Sequence, residues 1–180
     1  MEKKAFNAGY YKRNTRRVYV LRGFDGCEPS TFTRTAPAAD GQEIMSGDTI
    51  SLDNGEWVKG VPQGQVPYIA LSDYNDTDVN ASGLLPALSY AGKFEIETVS
   101  YVDDTYEEDD PLVAATSSNA GKLAKGALDG SADILAFASR GGVTNLNAGT
   151  GPKREVNSET ANVLTFITNW QPVNAAGSAS

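Results

Sequence analysis

The cleanest pattern in the chain is the alternation in "KFEIETVSYVDD". Phe94, Ile96 and Val99 or Thr98 fall on one side, and Glu95, Glu97 and Ser100 on the other. A period of two predicts a half-buried β-strand. The stretch "GDTISLDNGEWVKG" at 47–60 reads as a β-hairpin. Asn54-Gly55 tolerates the positive φ that a tight hairpin turn requires. Two registers fit. A two-residue loop sets Leu52 opposite Trp57. A three-residue loop sets Ile50 opposite Val58 and avoids facing Asp53 against Glu56, which favours it.

Other segments follow the same logic. "RRVYVLRGF" alternates into a strand with Val18, Val20 and Arg22 on one face. Residues 28–46 mix Pro, Thr, Ser and Gly and read as an extended connector with a short strand at Thr31–Thr35. A strand is expected around Val66–Leu71, with Pro67 at its start or on an edge. "DYNDTDVNASGLLPALSYAG" reads as a long polar loop, and "PLVAAT" as a short strand. "NAGKLAKGALDG" is broken by Gly121, Gly126 and Gly130, which leaves a twisted strand or one helical turn. "ADILAFASRGG" is a buried strand, "NLNAGTGPKREVNSE" a loop and "ANVLTFITNW" a last strand. The sum is seven to nine short strands, long polar loops and no long helix. That predicts an all-β fold, a small barrel or sandwich.

Composition agrees: the 180 residues include 18 Gly and 8 Pro, spread along the chain, as many short elements and turns require. The expected organisation is a basic N-terminal arm (1–22), an extended connector (23–46), a β-rich domain (47–172) and a flexible tail (173–180). There is no run of 18 apolar residues to span a membrane, and residues 1–17 lack the apolar core of a signal peptide. Asn75-Asp-Thr77 and Asn80-Ala-Ser82 match the glycosylation sequon and read as chance matches in a polar loop.

Charge changes the picture. Residues 1–22 hold seven basic groups and one acid, Glu2, a net +6, whereas the remainder holds eight basic and 22 acidic residues, a net −14. A basic arm on an acidic body marks an interaction tail. The candidate contact residues are Lys3, Lys4, Phe6, Tyr10, Tyr11, Lys12, Arg13, Arg16 and Arg17. Arginine forks and tyrosine rings suit docking across an acidic protein surface. A solubilising tail and a single-stranded nucleic-acid arm are the other readings, and the −14 body repels phosphates and argues against the latter.

Catalytic chemistry finds little footing. The chain has no histidine, which removes Ser-His-Asp, Cys-His and His-metal arrangements. The single cysteine, Cys27, permits no internal disulfide and has no histidine base. The acidic run "VDDTYEEDD" offers Asp103, Asp104, Glu107, Glu108, Asp109 and Asp110 to a cation or a basic partner, but an extended segment points only half of them to one side. Asp76, Asp78 and Asn80 imitate the start of an EF-hand loop, yet Ala81 and Ala87 stand where Gly and Glu belong. "SRGG" and "AGTG" lack the lysine and helix of a phosphate loop. The residues thus predict a non-enzymatic protein without metal or cofactor.

The order of these features resembles the head decoration (cement) proteins of tailed bacteriophages, of β-barrel or β-tulip type. Gly47, Asp48, Ile50, Leu52, Gly55 and Trp57 approximate that family's hairpin pattern, followed by "PYIAL", "ADILAFASRGG" and "NVLTFITNW", over roughly residues 44–172. The polar loops at 73–83 and 103–110 are longer than the family's pattern. The resemblance implies a structural virion protein, made in the host cytoplasm, on the outer capsid surface. It would clamp major capsid protein subunits, self-associate as a trimer and use its N-terminal arm to reach neighbours, with no membrane or nucleic-acid partner. A tail-tube or head-fibre component and a carbohydrate-binding β-sandwich, with Trp57 or Trp170 as platform, are the alternatives.

Overall fold

A computed structural model describes residues 17–75, 83–156 and 159–173. They form an antiparallel, predominantly β fold in which no sheet closes into a barrel, so the architecture is sandwich-like. One sheet runs in the order β1 (Val18–Gly23), β9 (Phe94–Thr98), β15 (Leu164–Gln171), β12 (Ile134–Ala138), β10 (Pro111–Ala114), β11 (Leu123–Lys125). The second runs β2 (Thr33–Ala36), β8 (Leu85–Ser89), β6 (Tyr68–Ala70), β4 (Thr49–Asp53), β5 (Glu56–Lys59). Two ribbons complete it: β3 (Glu43–Ile44) with β7 (Tyr74–Asn75), and β13 (Lys153–Val156) with β14 (Glu159–Asn162). Among the described residues helix is scarce: α1 spans Pro29–Phe32, and a 3-10 turn covers Ser117–Asn119.

The main core lies between the sheets. Phe94, Ile96, Leu164, Phe166 and Leu112 meet Ile69 and Leu88, with Tyr90 stacked on Phe166 at 5.9 Å. A second core sits on the other face of the five-stranded sheet, where Ile50, Trp57, Ala70, Leu85 and Ala87 pack with Ile44 of β3. Both sheets curl. Pro37–Ala39, the continuation of edge strand β2, bonds to Trp57 on the opposite edge strand. Ser100–Val102, the continuation of β9, bonds to Leu123 on edge strand β11. These are isolated bridges, so both ladders stay open.

The hairpin takes the two-residue loop. Leu52 faces Trp57 and Asp53 faces Glu56. Asn54 (φ 49°) and Gly55 (φ 89°) are both left-handed. This corrects the three-residue expectation. The like-charged pair lies at an exposed tip where water screens it, and this register puts Leu52 and Trp57 together in the second core. Trp57 is fully buried there, and its Nε1–H donates to the Leu85 carbonyl at 2.8 Å.

Several expectations need correction. The described residues hold fifteen strands rather than seven to nine, the surplus being short pieces such as β3 and β7. β8 lies inside the expected polar loop, and Pro86 disguises it, since proline is rare in central strands. β13 lies in the expected 145–159 loop. "NAGKLAKGALDG" forms the short strand β11, and the 3-10 turn at Ser117–Asn119 precedes it, sharing only Asn119. A bulge between Val20 and Arg22 turns Arg22 away from the face of Val18 and Val20, onto Glu95. Finally, β9 is buried on both faces rather than one.

Candidate functional site

Of the arm residues singled out above, Lys3, Lys4, Phe6, Tyr10, Tyr11, Lys12, Arg13 and Arg16 lie outside the described residues. Arg17 is described. Its Nε–H donates to the Ser46 carbonyl at 3.2 Å, and its own carbonyl accepts from Val99 N–H at 3.1 Å. The chain that follows the basic segment is therefore fixed on the body at a definite point, from which β1 begins.

Arg17 stands at the wall of a cavity of about 490 Å³ that Asp48, Lys59, Ser100, Asp103 and Lys122 also line. The cavity forms where the two sheets meet at one end, between the β3–β4 turn, the end of β5 and the segment that follows β9. Asp48 holds this corner together. Its carboxylate accepts Met45 N–H at 3.0 Å, Ser100 Oγ–H at 2.6 Å and the Lys59 ammonium at 3.3 Å. Ser100 Oγ also lies 3.2 Å from the Gly121 carbonyl, and Thr49 N–H donates to that carbonyl at 2.7 Å. Both sheets and the loop before β11 thus converge on one buried carboxylate.

Gly47, beside it, is required by space as well as by its φ of 91°. A Cβ there would sit 2.6 Å from Thr98 Oγ1 and 3.0 Å from the Arg17 carbonyl. The Gly-Asp pair of the hairpin pattern is explained by this knot. Lys59, Ser100, Asp103 and Lys122 were not legible as one site, because no spacing along the chain relates them.

The acidic segment 103–110 is ordered from within. Tyr106 is buried, and its hydroxyl donates to the Val102 carbonyl at 2.6 Å. Asp110 pairs with Lys125 at 2.7 Å and accepts Glu107 N–H at 2.8 Å. Among the described residues no three His, Cys, Asp or Glu side chains converge to hold a metal ion. The EF-hand-like Asp76, Asp78 and Asn80, and both sequons in whole or part, lie outside the described residues.

The other candidate groups are occupied structurally. Glu97 is buried and takes two hydrogen bonds from Arg154, at 2.7 and 3.2 Å. Glu95 pairs with Arg22 at 2.8 Å and lies 3.3 Å from Ser139 Oγ. Trp57, being fully buried, presents no platform to a sugar, and Trp170 packs against the main core. Cys27 is half-buried, and its Sγ accepts Lys93 N–H at 3.5 Å. The two Gly-rich segments bind each other: Thr150 and Gly151 donate their N–H groups to the Gly142 carbonyl, which leaves those donors unavailable to a phosphate.

Comparison with known protein families, with curated proteins and with solved structures finds no match.

Proposed function

We propose that this chain is a non-enzymatic structural protein of a tailed-phage virion, a cement protein that binds the outer capsid surface and clamps major capsid subunits. The observation that carries the reading is the join at Arg17. A segment rich in Lys, Arg and Tyr leads into a side chain anchored on the body, and from there into edge strand β1. An arm attached at a fixed point can order on a partner's acidic surface and cover a large area, although ordering costs entropy.

The fold supports such a role in two ways. β11 and β5 are bridged by the chain's own segments, while β1 and β2 keep an open side among the described residues, available for strand addition. The curl of each sheet is in keeping with the β-tulip type, and a trimer would multiply weak contacts on a shell.

The test is co-sedimentation with expanded heads, comparing the intact chain with one lacking residues 1–16. The deletion stops there because Val18 belongs to the core. Saturable binding weakened by the deletion is the expected result. Binding unaffected by it would keep the role and remove the anchor. Absence of binding by both would overturn the proposal.

A further inference from the structure

The cavity beside Arg17 is unusual in its charge. The body beyond residue 22 carries 22 acids against eight bases, yet around this one space two of its bases, Lys59 and Lys122, match two acids, Asp48 and Asp103, and Arg17 of the basic segment adds a third cation. Asp48 is already saturated by three donors, one of them Lys59, so it offers little to an incoming cation. Lys122 rests on a neutral group, Asn119 Oδ1, at 3.3 Å, and forms no ion pair among the described residues. Arg17 spends Nε on a backbone carbonyl, and among the described residues the terminal amino groups of its fork, the donors that engage oxyanions, carry no hydrogen bond.

We infer that this cavity is a receptor for a carboxylate-bearing group, held between the Arg17 guanidinium and the Lys122 ammonium over the Lys59–Asp48 pair. A carboxylate fits better than a phosphate because the lining has one cation in excess, and Asp103 on the wall repels a second negative charge. At about 490 Å³ the space is of the size that takes a small molecule or one or two side chains. The carboxylate can come from a free monocarboxylic acid or from Asp or Glu of another protein. The inference stands apart from the capsid reading and survives its failure.

The experiment is titration of the full chain by heteronuclear NMR or calorimetry with three probes: butyrate, a short peptide with one Glu and both ends capped, and inorganic phosphate. Lys122→Glu tests the site, and Arg140→Glu, at an exposed arginine outside the cavity, is the control. Lys59 is left intact because removing it strands the buried Asp48 carboxylate. The expected result is saturable binding of a carboxylate probe that shifts the amides of Ser100 and Lys122. Lys122→Glu should weaken it at least about tenfold, and Arg140→Glu should leave it unchanged. Tighter binding of peptide than of butyrate would assign the source to a protein partner, and the reverse to a free acid. No saturable carboxylate binding, tighter binding of phosphate, or indifference to Lys122→Glu would each overturn the inference.

Discussion

Ser100 Oγ donates to Asp48 Oδ1 at 2.6 Å across 52 residues of sequence, and both groups are buried. The pair joins the turn before β4 to the segment that leaves β9, so it fastens one sheet to the other. Asp48→Asn replaces an acceptor with a donor that faces Met45 N–H or Lys59. The expected loss is about 3 kcal/mol, since a buried charged network loses its centre. Ser100→Ala removes one of three donors to the carboxylate and should cost about 1–2 kcal/mol. Urea unfolding of the three proteins, with unchanged m-values, checks both figures.

The Arg154–Glu97 pair fixes the β13–β14 ribbon to the outer face of the six-stranded sheet. The Glu97 side chain is 0% exposed, whereas that of Arg154 is 47% exposed. Arg154→Ala leaves the carboxylate without its cation, and water admitted at the arginine's place offsets part of the loss. A destabilisation of about 2 kcal/mol is expected. Replacing both residues with leucine should recover much of it, because the buried charge then disappears. Denaturant midpoints of the single and double variants give the comparison.

Gly47→Ala should be among the most damaging small substitutions. The added carbon meets Thr98 Oγ1 at 2.6 Å with φ at 91°, so strain and clash add. A cost of about 2–4 kcal/mol is expected, against about 1 kcal/mol for Gly55→Ala, where φ is 89° but the space is open. Thermal unfolding of the two variants side by side separates steric from conformational cost.

Alkaline pH should destabilise the fold. Burial pushes the phenols of Tyr90, Tyr101 and Tyr106 well above their ordinary value of 10.0, with Asp103 adding to the rise at Tyr101 and Asp103 and Asp104 at Tyr106. The unfolded chain then releases these protons at lower pH than the folded one. Stability contributed by the three groups is intact below about pH 10 and declines as pH rises above it toward the folded values. Absorbance at the phenolate band should show three tyrosines that ionise only as circular dichroism reports unfolding. Tyr90→Phe should reduce the steepness of that decline.

The sequence by itself determined the strand class, the place of the turn at Asn54-Gly55 and the positions of the main-core strands β9, β12 and β15. Period-two alternation and the left-handed tolerance of Asn and Gly are local properties, readable wherever they occur. It determined equally the division between a basic segment and an acidic body, which is a matter of counting. It misplaced β8 because Pro86 speaks locally against a strand, while Leu85, Ala87 and Leu88 are rewarded by burial that only the neighbouring β2 and β6 supply. It misjudged β9 because Glu95 and Glu97 look solvent-facing until Arg22 and Arg154, far away in the chain, cover and neutralise them. The hairpin register sets Leu52 and Trp57 in the second core, where the Trp57 Nε1–H finds the Leu85 carbonyl, a partner 28 residues away that local pairing rules do not see. The cavity lay beyond sequence reading altogether. Arg17, Asp48, Lys59, Ser100 and Lys122 acquire a common address only when both sheets curl and meet at one corner, since electrostatic and hydrogen-bond energies depend on distance in space and not on separation along the chain.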